Sequence, residues 1–214
     1  ELIGLALSKP LIRDLLGRNE PALGWFFLDD VGAWLGHRAG RVADVLALSP
    51  CIEQGERKLD LVVAESKFVG EVGHGDQMRK SDRQLLETVQ GLVDRFCSEA
   101  SQLDEPMWRG RLADMMLEHL RVFGDNDPET LASWADDVRQ GRLDIRIRGR
   151  SYAFVQDMAP PAEVECHEMR PGEVQFLLPR EAIADLLRRE AGIPSGAPSP
   201  EVQASATFAA SSGI

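Results

Sequence analysis

The spacing of apolar positions along the chain predicts an α/β fold. Residues 59–64 are apolar at five of six positions, which is typical of a buried strand. A second strand is predicted over residues 41–48, and the polar residues 49–58 are predicted to join the two strands as a hairpin. Helical periodicity dominates from residue 81 to residue 140. We therefore expect an α/β domain with a mixed central β-sheet flanked by helices.

Helix boundaries are predicted from capping residues and from apolar stripes at helical spacing. The predicted helices cover about residues 9–16, 29–36, 81–96, 106–122, 128–140 and 180–187. The first is predicted to follow Ser8 as its N-cap, and the third opens with a capping-box pattern over residues 81–84. The glycine-rich residues 69–76 are predicted to form a loop. Two short strands around Gly149, and another over residues 174–178, complete the predicted sheet.

Composition indicates one soluble domain. The chain has 214 residues, of which 43% are apolar and 28% are charged, and no apolar run approaches the roughly 18 residues that a membrane span needs. Cys51, Cys97 and Cys166 are far apart and lack C-x-x-C spacing, so neither a disulfide framework nor a zinc site is indicated. We therefore expect a reducing, cytoplasmic setting.

The predicted domain covers residues 1–191. Residues 192–214 are rich in Pro, Gly, Ala and Ser, and they are predicted to form a linker or a disordered tail. Because the chain begins with Glu rather than Met and ends in this linker-like segment, we expect it to be one part of a larger polypeptide.

Two charged residues at the end of the 59–68 strand form the candidate site. Glu65 and Lys67 should project from the same face, because side chains alternate along a strand. Burying such charges costs free energy, so a globular protein keeps them mainly where they pair or hold a ligand. A simple Glu–Lys ion pair is one interpretation. The other is a catalytic site completed by Asp44 on the preceding strand, rather than by Asp60, which alternation places on the opposite face.

An Asp on one strand followed by Glu-x-Lys on the next resembles the motif of the PD-(D/E)XK nuclease superfamily, which has the restriction-endonuclease-like fold. The resemblance covers about residues 22–155, and Ala43 stands where the family motif has Pro. Residues 26–30, 43–46 and 64–68 look most similar to nuclease-type domains attached to HerA/FtsK-like DNA-translocating ATPases in bacterial defence systems. The resemblance implies a metal-dependent endonuclease that hydrolyses DNA, serves antiviral defence and works with an ATPase or translocase domain or subunit.

The resemblance also implies a role for each site residue. Asp44, Glu65 and the backbone carbonyl of Ser66 would hold Mg²⁺, with Mn²⁺ as the alternative. Lys67 would orient or help deprotonate the attacking water, and Gln84 would contact the scissile phosphate. Relatives often take a further acid from a helix before the first catalytic strand. The candidates for that acid are Glu20, Asp29 and Asp30.

The net charge of −11 opposes unaided DNA binding, because phosphate neutralisation normally needs a basic footprint. The concentrated basic stretch is the row Arg146, Arg148 and Arg150, which is predicted either to contact phosphates or to protect an exposed sheet edge. A partner subunit or further domain would then hold the DNA. The alternative functions are a catalytically inactive nuclease-like module for assembly or DNA docking, and an unrelated adaptor in which Glu65 and Lys67 merely pair.

Overall fold

The chain folds as an α/β protein, as its sequence predicts. A computed structural model describes residues 2–17, 23–31, 42–70, 74–97, 103–120, 128–155, 163–194 and 198–204. In these ranges a six-stranded mixed sheet is flanked by helices. The coarse prediction of the fold class is therefore confirmed, and the restriction-endonuclease-like version of it stays a prediction.

The main elements of the described ranges are six helices and six strands. The helices are α1 (Leu2–Leu16), α2 (Leu28–Val31), α3 (His74–Phe96), α4 (Glu105–His119), α5 (Pro128–Arg139) and α6 (Arg180–Glu190). The strands are β1 (Gly24–Phe27), β2 (Val45–Glu53), β3 (Glu56–Val69), β4 (Asp144–Val155), β5 (Glu165–Arg170) and β6 (Glu173–Leu178). Their order across the sheet is β1-β2-β3-β4-β6-β5.

The predicted hairpin is confirmed, but its connection is much shorter than expected. Strands β2 and β3 are neighbours in the sheet and are joined by a turn at Gln54 and Gly55, whose φ values are 53° and 85°. Positive φ at both central residues is the type I′ geometry that matches the twist of the flanking strands. The polar residues 49–58 are therefore mostly strand, and the prediction of a long loop there was wrong.

The direction of the strands makes the sheet mixed. β1 pairs with β2, and β5 pairs with β6, in antiparallel fashion. β3 and β4 run parallel, because their contacts rise together along both strands: Asp60 meets Arg146, and Phe68 stacks on Phe154. β4 is one continuous strand through Gly149, so the prediction of two short strands was wrong.

Several helix boundaries also differ from the prediction. α1 begins well before Ser8, whose hydroxyl donates a hydrogen bond of 2.9 Å to the Gly4 carbonyl inside the helix instead of capping it. α3 begins at His74, so it includes part of the segment predicted as a glycine-rich loop. The predicted positions of α4, α5, α6 and β6 are confirmed within a few residues. β1 and β5 were not predicted, and residues 32–36 of the second predicted helix lie outside the described residues.

The chain divides into two compact units that interleave along the sequence. The first unit comprises Glu1–Asn19, Ala64–Arg83 and Arg150–Ile214, and the second comprises Glu20–Val63 and Gln84–Gly149. Because β3, α3 and β4 each contribute residues to both, neither unit is one continuous segment.

The first unit has an aromatic layer on one face of its strands. Tyr152 and Phe154 of β4 are fully buried, and their ring centroids lie 6.4 Å apart. Phe154 stacks on Phe68 of β3 at 5.3 Å, and Tyr152 stacks on Phe176 of β6 at 5.5 Å. On the other face, Val69 belongs to an aliphatic cluster against which α3 packs. α1 and α6 are tied by an ion pair between Asp14 and Arg189.

The second unit packs helices α4 and α5 together around buried side chains. Trp134 of α5 is fully buried, and the Arg57 guanidinium of β3 lies 4.9 Å from the centre of its ring. Arg57 also donates a hydrogen bond of 2.6 Å to Asp137, so the guanidinium links β3 to the buried side of α5. Leu112 and Met116 of α4 are fully buried, as their helical spacing predicts.

Phe154→Ala should lower the free energy of unfolding by about 3–5 kcal/mol, because it removes the centre of the aromatic layer and leaves a cavity. Phe27→Ala, at a side chain that is 48% exposed, is the matched control and should change stability by less than about 1 kcal/mol. Urea unfolding followed by circular dichroism measures both. Equal losses for the two variants would contradict this assignment of the core.

Candidate functional site

Glu65 and Lys67 form an ion pair near the end of β3. The Lys67 Nζ atom lies 2.5 Å from Glu65 Oε1; the Glu65 side chain is fully buried, and the Lys67 side chain is 24% exposed. The prediction that alternation brings these two side chains to one face is confirmed. The pair satisfies part of the need of a buried carboxylate for a cation. It is also what the simple ion-pair interpretation predicts.

Ser66 projects from the opposite face of β3, toward α1. A Cβ atom added to Gly4 of α1 would lie only 2.6 Å from Ser66 Oγ, so the helix approaches the strand as closely as it does only because residue 4 is glycine. The predicted metal ligand is the backbone carbonyl of Ser66, and that role stays a prediction.

The first turns of α3 cover the face that carries Glu65 and Lys67. Val69 shares that face by alternation, and Val69 packs in the cluster that Met78 of α3 joins. Glu65 and Ser151 each lie three residues before the stacked pair of Phe68 and Phe154, so the parallel register places Ser151 beside Glu65 on this face. The buried face next to Glu65 is therefore polar as well as apolar.

A hydrogen-bonded network links α3 to β4 and β6 on this face. Ser81 Oγ lies 3.1 Å from Ser151 Oγ, and both hydroxyls are buried. Ser151 also donates to Asp82 Oδ1 at 3.4 Å, and the Gln175 side-chain amide of β6 donates to the same oxygen. Sequence reasoning missed this network. It placed Ser81 at the start of a helix that in fact begins seven residues earlier.

Burial shifts two acids of this face, Asp82 and Glu173, toward their neutral forms. Burial raises the pKa of Asp82, although hydrogen bonds from Ser151 and Gln175 act in the opposite direction. Burial also raises the pKa of Glu173, which alternation places on the same face of β6 as Gln175. Glu173 is 7% exposed, and its Oε2 atom has no hydrogen-bond partner among the described residues.

Asp44 belongs to the second unit and is half-buried. β2 begins at Val45, so Asp44 lies immediately before the strand, and the prediction that places it on the strand was wrong. Its backbone carbonyl accepts a hydrogen bond of 3.1 Å from the amide of Leu28. The segment before it is held by α3, because Thr88 Oγ1 accepts a hydrogen bond from the amide of Ala43 at 3.0 Å. Glu65 belongs to the first unit, and the prediction that both acids share one cation stays a prediction.

Gln84 is also tied to the segment that leads to Asp44. Its side-chain amide donates a hydrogen bond of 3.2 Å to the carbonyl of Val42. In this position the side chain helps to fix the backbone just before Asp44, which sequence reasoning did not foresee. Its contact with a scissile phosphate stays a prediction.

Asp60, the rival to Asp44, has a structural partner. Its side chain is buried, and its carboxylate lies 2.8 Å from the Arg146 guanidinium and 3.5 Å from that of Arg148. Arg146 also binds Glu53 through two hydrogen bonds of 2.7 and 2.8 Å. These bonds raise the pKa of the Arg146 guanidinium. Asp60 therefore neutralises charge on β4.

The three arginines predicted to contact DNA differ in exposure. Arg150 is 7% exposed, and its guanidinium is paired with Glu201 at 3.1 Å. The prediction that it faces solvent was therefore wrong. Arg146 is engaged by Glu53 and Asp60. The Arg148 side chain is 28% exposed. The DNA contact of the row stays a prediction.

The further acidic candidates are not placed in a site. Glu20 lies outside the described residues, and Asp29 and Asp30 are exposed in α2. Within the described ranges, no group of three or more His, Cys, Asp and Glu side chains is arranged to hold a metal ion. Across the same ranges, none of the helices has the length and apolar content that crossing a membrane requires.

Comparisons with protein-family models, with curated proteins and with solved structures find no match to this chain.

Asp82→Asn should flatten the pH dependence of stability. The substitution keeps Oδ1 as an acceptor for Ser151 and Gln175, and it removes a charge that burial disfavours. The folded wild type holds a proton on Asp82 at pH values where the unfolded chain has lost it. Its contribution to stability is therefore full below the ordinary carboxyl pKa and is lost as the pH rises through the raised pKa.

Urea unfolding of both proteins between about pH 3 and pH 8 measures this difference. Asp76→Asn, at an exposed acid in the first turn of the same helix, is the control for removing one carboxylate from α3 outside the buried network. Parallel curves for wild type and Asp82→Asn would contradict the assigned pKa shift.

Proposed function

We propose that this chain is a metal-dependent nuclease domain that hydrolyses DNA phosphodiester bonds. The observation that best supports the proposal is the pair of a fully buried carboxylate, Glu65, and a partly exposed amine, Lys67, on one face of a sheet strand. The preceding strand begins directly after Asp44, in the order that the PD-(D/E)XK motif requires. On the same grounds we propose the restriction-endonuclease-like fold and a place in a bacterial defence or DNA-processing assembly.

The candidate donors suit a hard divalent cation. Carboxylate and carbonyl oxygens are the ligands that Mg²⁺ and Mn²⁺ prefer, and the buried charge of Glu65 is of the sign that a cation offsets. Asp44, Glu65 and the carbonyl of Ser66 would hold the ion. When bound, Mg²⁺ would offset charge on the phosphate oxygens and lower the pKa of a bound water.

Lys67 is the residue that we propose acts on water and phosphate. Its side chain is 24% exposed while that of Glu65 is fully buried, so substrate reaches the amine before the carboxylate. An ammonium group has three donors, which suits it to hold a carboxylate while it orients a water or a phosphoryl oxygen. Glu65 fixes the direction of the amine. The pair would then assist hydrolysis in two ways, by general acid–base catalysis and by electrostatic stabilisation of the transition state.

DNA binding would need help from outside this chain. The net charge is −11, and Arg146 and Arg150 of the predicted row donate hydrogen bonds to carboxylates. Arg148 is the member that we propose to contact phosphate, because its ion pair with Asp60 is long at 3.5 Å. An ATPase or translocase partner would carry the rest of the DNA contact.

A second candidate function is a catalytically inactive module for assembly or DNA docking. The closed Glu65–Lys67 pair favours it, because Lys67 Nζ and Glu65 Oε1 lie 2.5 Å apart and each residue meets an opposite charge without any ligand. Net acidity favours it as well.

Glu65→Gln should separate the two functions. The amide preserves the shape of the side chain and removes the charge that a cation needs, so Mg²⁺-dependent DNA cleavage by the native assembly should fall by about 10²-fold or more while the chain stays folded. Lys67→Ala should act similarly on cleavage. Glu168→Gln, at an exposed acid of β5, is the control and should cleave like wild type. If the Glu65→Gln assembly cuts DNA as fast as wild type, the catalytic site lies elsewhere and the docking function stands.

Arg148→Ala should weaken DNA binding by the assembly and reduce its salt dependence by about one phosphate contact. Binding titrations over a range of salt concentrations measure the slope of log affinity against log salt. Arg188→Ala, at an exposed arginine of α6, is the matched control. An unchanged slope in Arg148→Ala would assign Arg148 to neutralising Asp60 alone.

A further inference from the structure

The segment 198–204, predicted to belong to a linker or a disordered tail, is folded as part of the first unit. Residues 200–204 are helical, and Ser199, Glu201 and Ala204 are buried. A helix of five residues is far too short to be stable by itself in water, so tertiary contacts must hold it in place. Those contacts converge on one side chain.

Glu201 inserts a carboxylate between two buried residues of β4. The Arg150 Nε atom donates to both carboxylate oxygens at 3.1 Å, and the Tyr152 hydroxyl donates to Oε1 at 2.6 Å. The Arg150 Nη1 atom donates to the Gly172 carbonyl at 3.0 Å, which anchors the guanidinium. Glu201 is 1% exposed and Tyr152 is fully buried, so water does not compete for these bonds.

The charges around Glu201 make this pairing necessary. Burial raises the pKa of Glu201, and Asp14 of α1 adds to that effect, while Arg150 and the Tyr152 hydroxyl oppose it. Asp14 is itself paired with Arg189 of α6. Cys166 of β5 also lies within electrostatic reach of Glu201. Arg150 is thus a cation bound directly to Glu201, and without Glu201 its guanidinium would lose that carboxylate and the Tyr152 hydroxyl its acceptor.

We propose that Arg150 and Tyr152 form a carboxylate-binding socket, and that the chain fills it with its own Glu201 so that residues 198–204 act as a releasable latch. The ligand that this socket binds is a single carboxylate. In this chain the carboxylate belongs to a short segment in which Pro198 and Pro200 flank the buried Ser199. The socket supplies a positive charge from Arg150 and hydrogen-bond donors from Arg150 and Tyr152. The segment supplies the carboxylate of Glu201. This inference does not rest on the proposed nuclease activity.

The test uses the full-length chain and free acetate as the probe. Amide hydrogen exchange of residues 198–204 should be slow in wild type and at least tenfold faster in Glu201→Ala, because the latch is released. Val202→Ala, at a position of the same segment that is 53% exposed, should keep the wild-type protection. If residues 198–204 exchange as slowly in Glu201→Ala as in wild type, the proposal that Glu201 holds the latch is contradicted.

Acetate should then restore part of the stability that the Glu201→Ala substitution removed. Added acetate should raise the melting temperature of Glu201→Ala in a saturable manner, and chloride at equal ionic strength should not. Wild type, whose socket is filled, should not respond differently to the two salts. If acetate and chloride raise the melting temperature of Glu201→Ala equally, the proposal of a carboxylate-binding socket is contradicted. This holds even if residues 198–204 are released in that variant.

Two further variants keep the test decisive if Glu201→Ala fails to fold. Glu201→Gln retains the volume of the side chain but cannot form the ion pair, so its segment should still lose protection. Tyr152→Phe removes only the hydroxyl, so its segment should lose less protection than that of Glu201→Gln. Wild-type protection in Glu201→Gln would overturn the proposal, because an uncharged side chain would then serve as well as a carboxylate.

Discussion

Buried carboxylates constrain this structure more than any other interaction. Taking an ionised carboxylate out of water costs several kcal/mol unless a cation and further hydrogen bonds meet it. Asp60, Glu65 and Glu201 are all buried, and each meets a cation on a strand of the sheet. Arg146 binds the first, Lys67 the second and Arg150 the third. Each pair fixes the position of its cation, and the stability of each region therefore depends on its own pair.

The need of buried carboxylates for cations explains why β4 carries the row Arg146, Arg148 and Arg150. Alternation correctly places Arg146, Arg148 and Arg150 on one side of a strand, and from sequence alone that side resembles a phosphate-binding surface. The acids that meet these arginines come from distant parts of the chain: Asp60 precedes Arg146 by 86 residues, and Glu201 follows Arg150 by 51. A periodic pattern shows which face a side chain occupies. It does not show what the tertiary fold places opposite.

The same distinction explains which elements could be predicted. β2 and β3 carry continuous apolar runs, and α4 and α5 carry apolar stripes, so local pattern located them. β5 is an exposed edge strand with charged residues at three of its six positions, and it has no such pattern. α3 extends across Gly75 because Met78 packs against the sheet, which outweighs the low helix propensity of glycine. Residues 200–204 are helical because Glu201 is docked, although their composition is that of a tail.

Sequence reasoning found the chemistry of the candidate site but not its surroundings. Glu65 and Lys67 meet because they are two residues apart on a strand, and local geometry suffices for that. Asp82, Ser151 and Gln175 come from a helix and two strands and meet only in the folded chain. A pair that served stability alone could be replaced by apolar residues at little cost. The neighbouring polar network makes the face around Glu65 a poor place for an apolar replacement, and the exposure of Lys67 opens the pair on one side only. Together these features distinguish the face from an ordinary hydrophobic core, which is why the Glu65–Lys67 pair, rather than the arginine row, is the centre of the functional proposal.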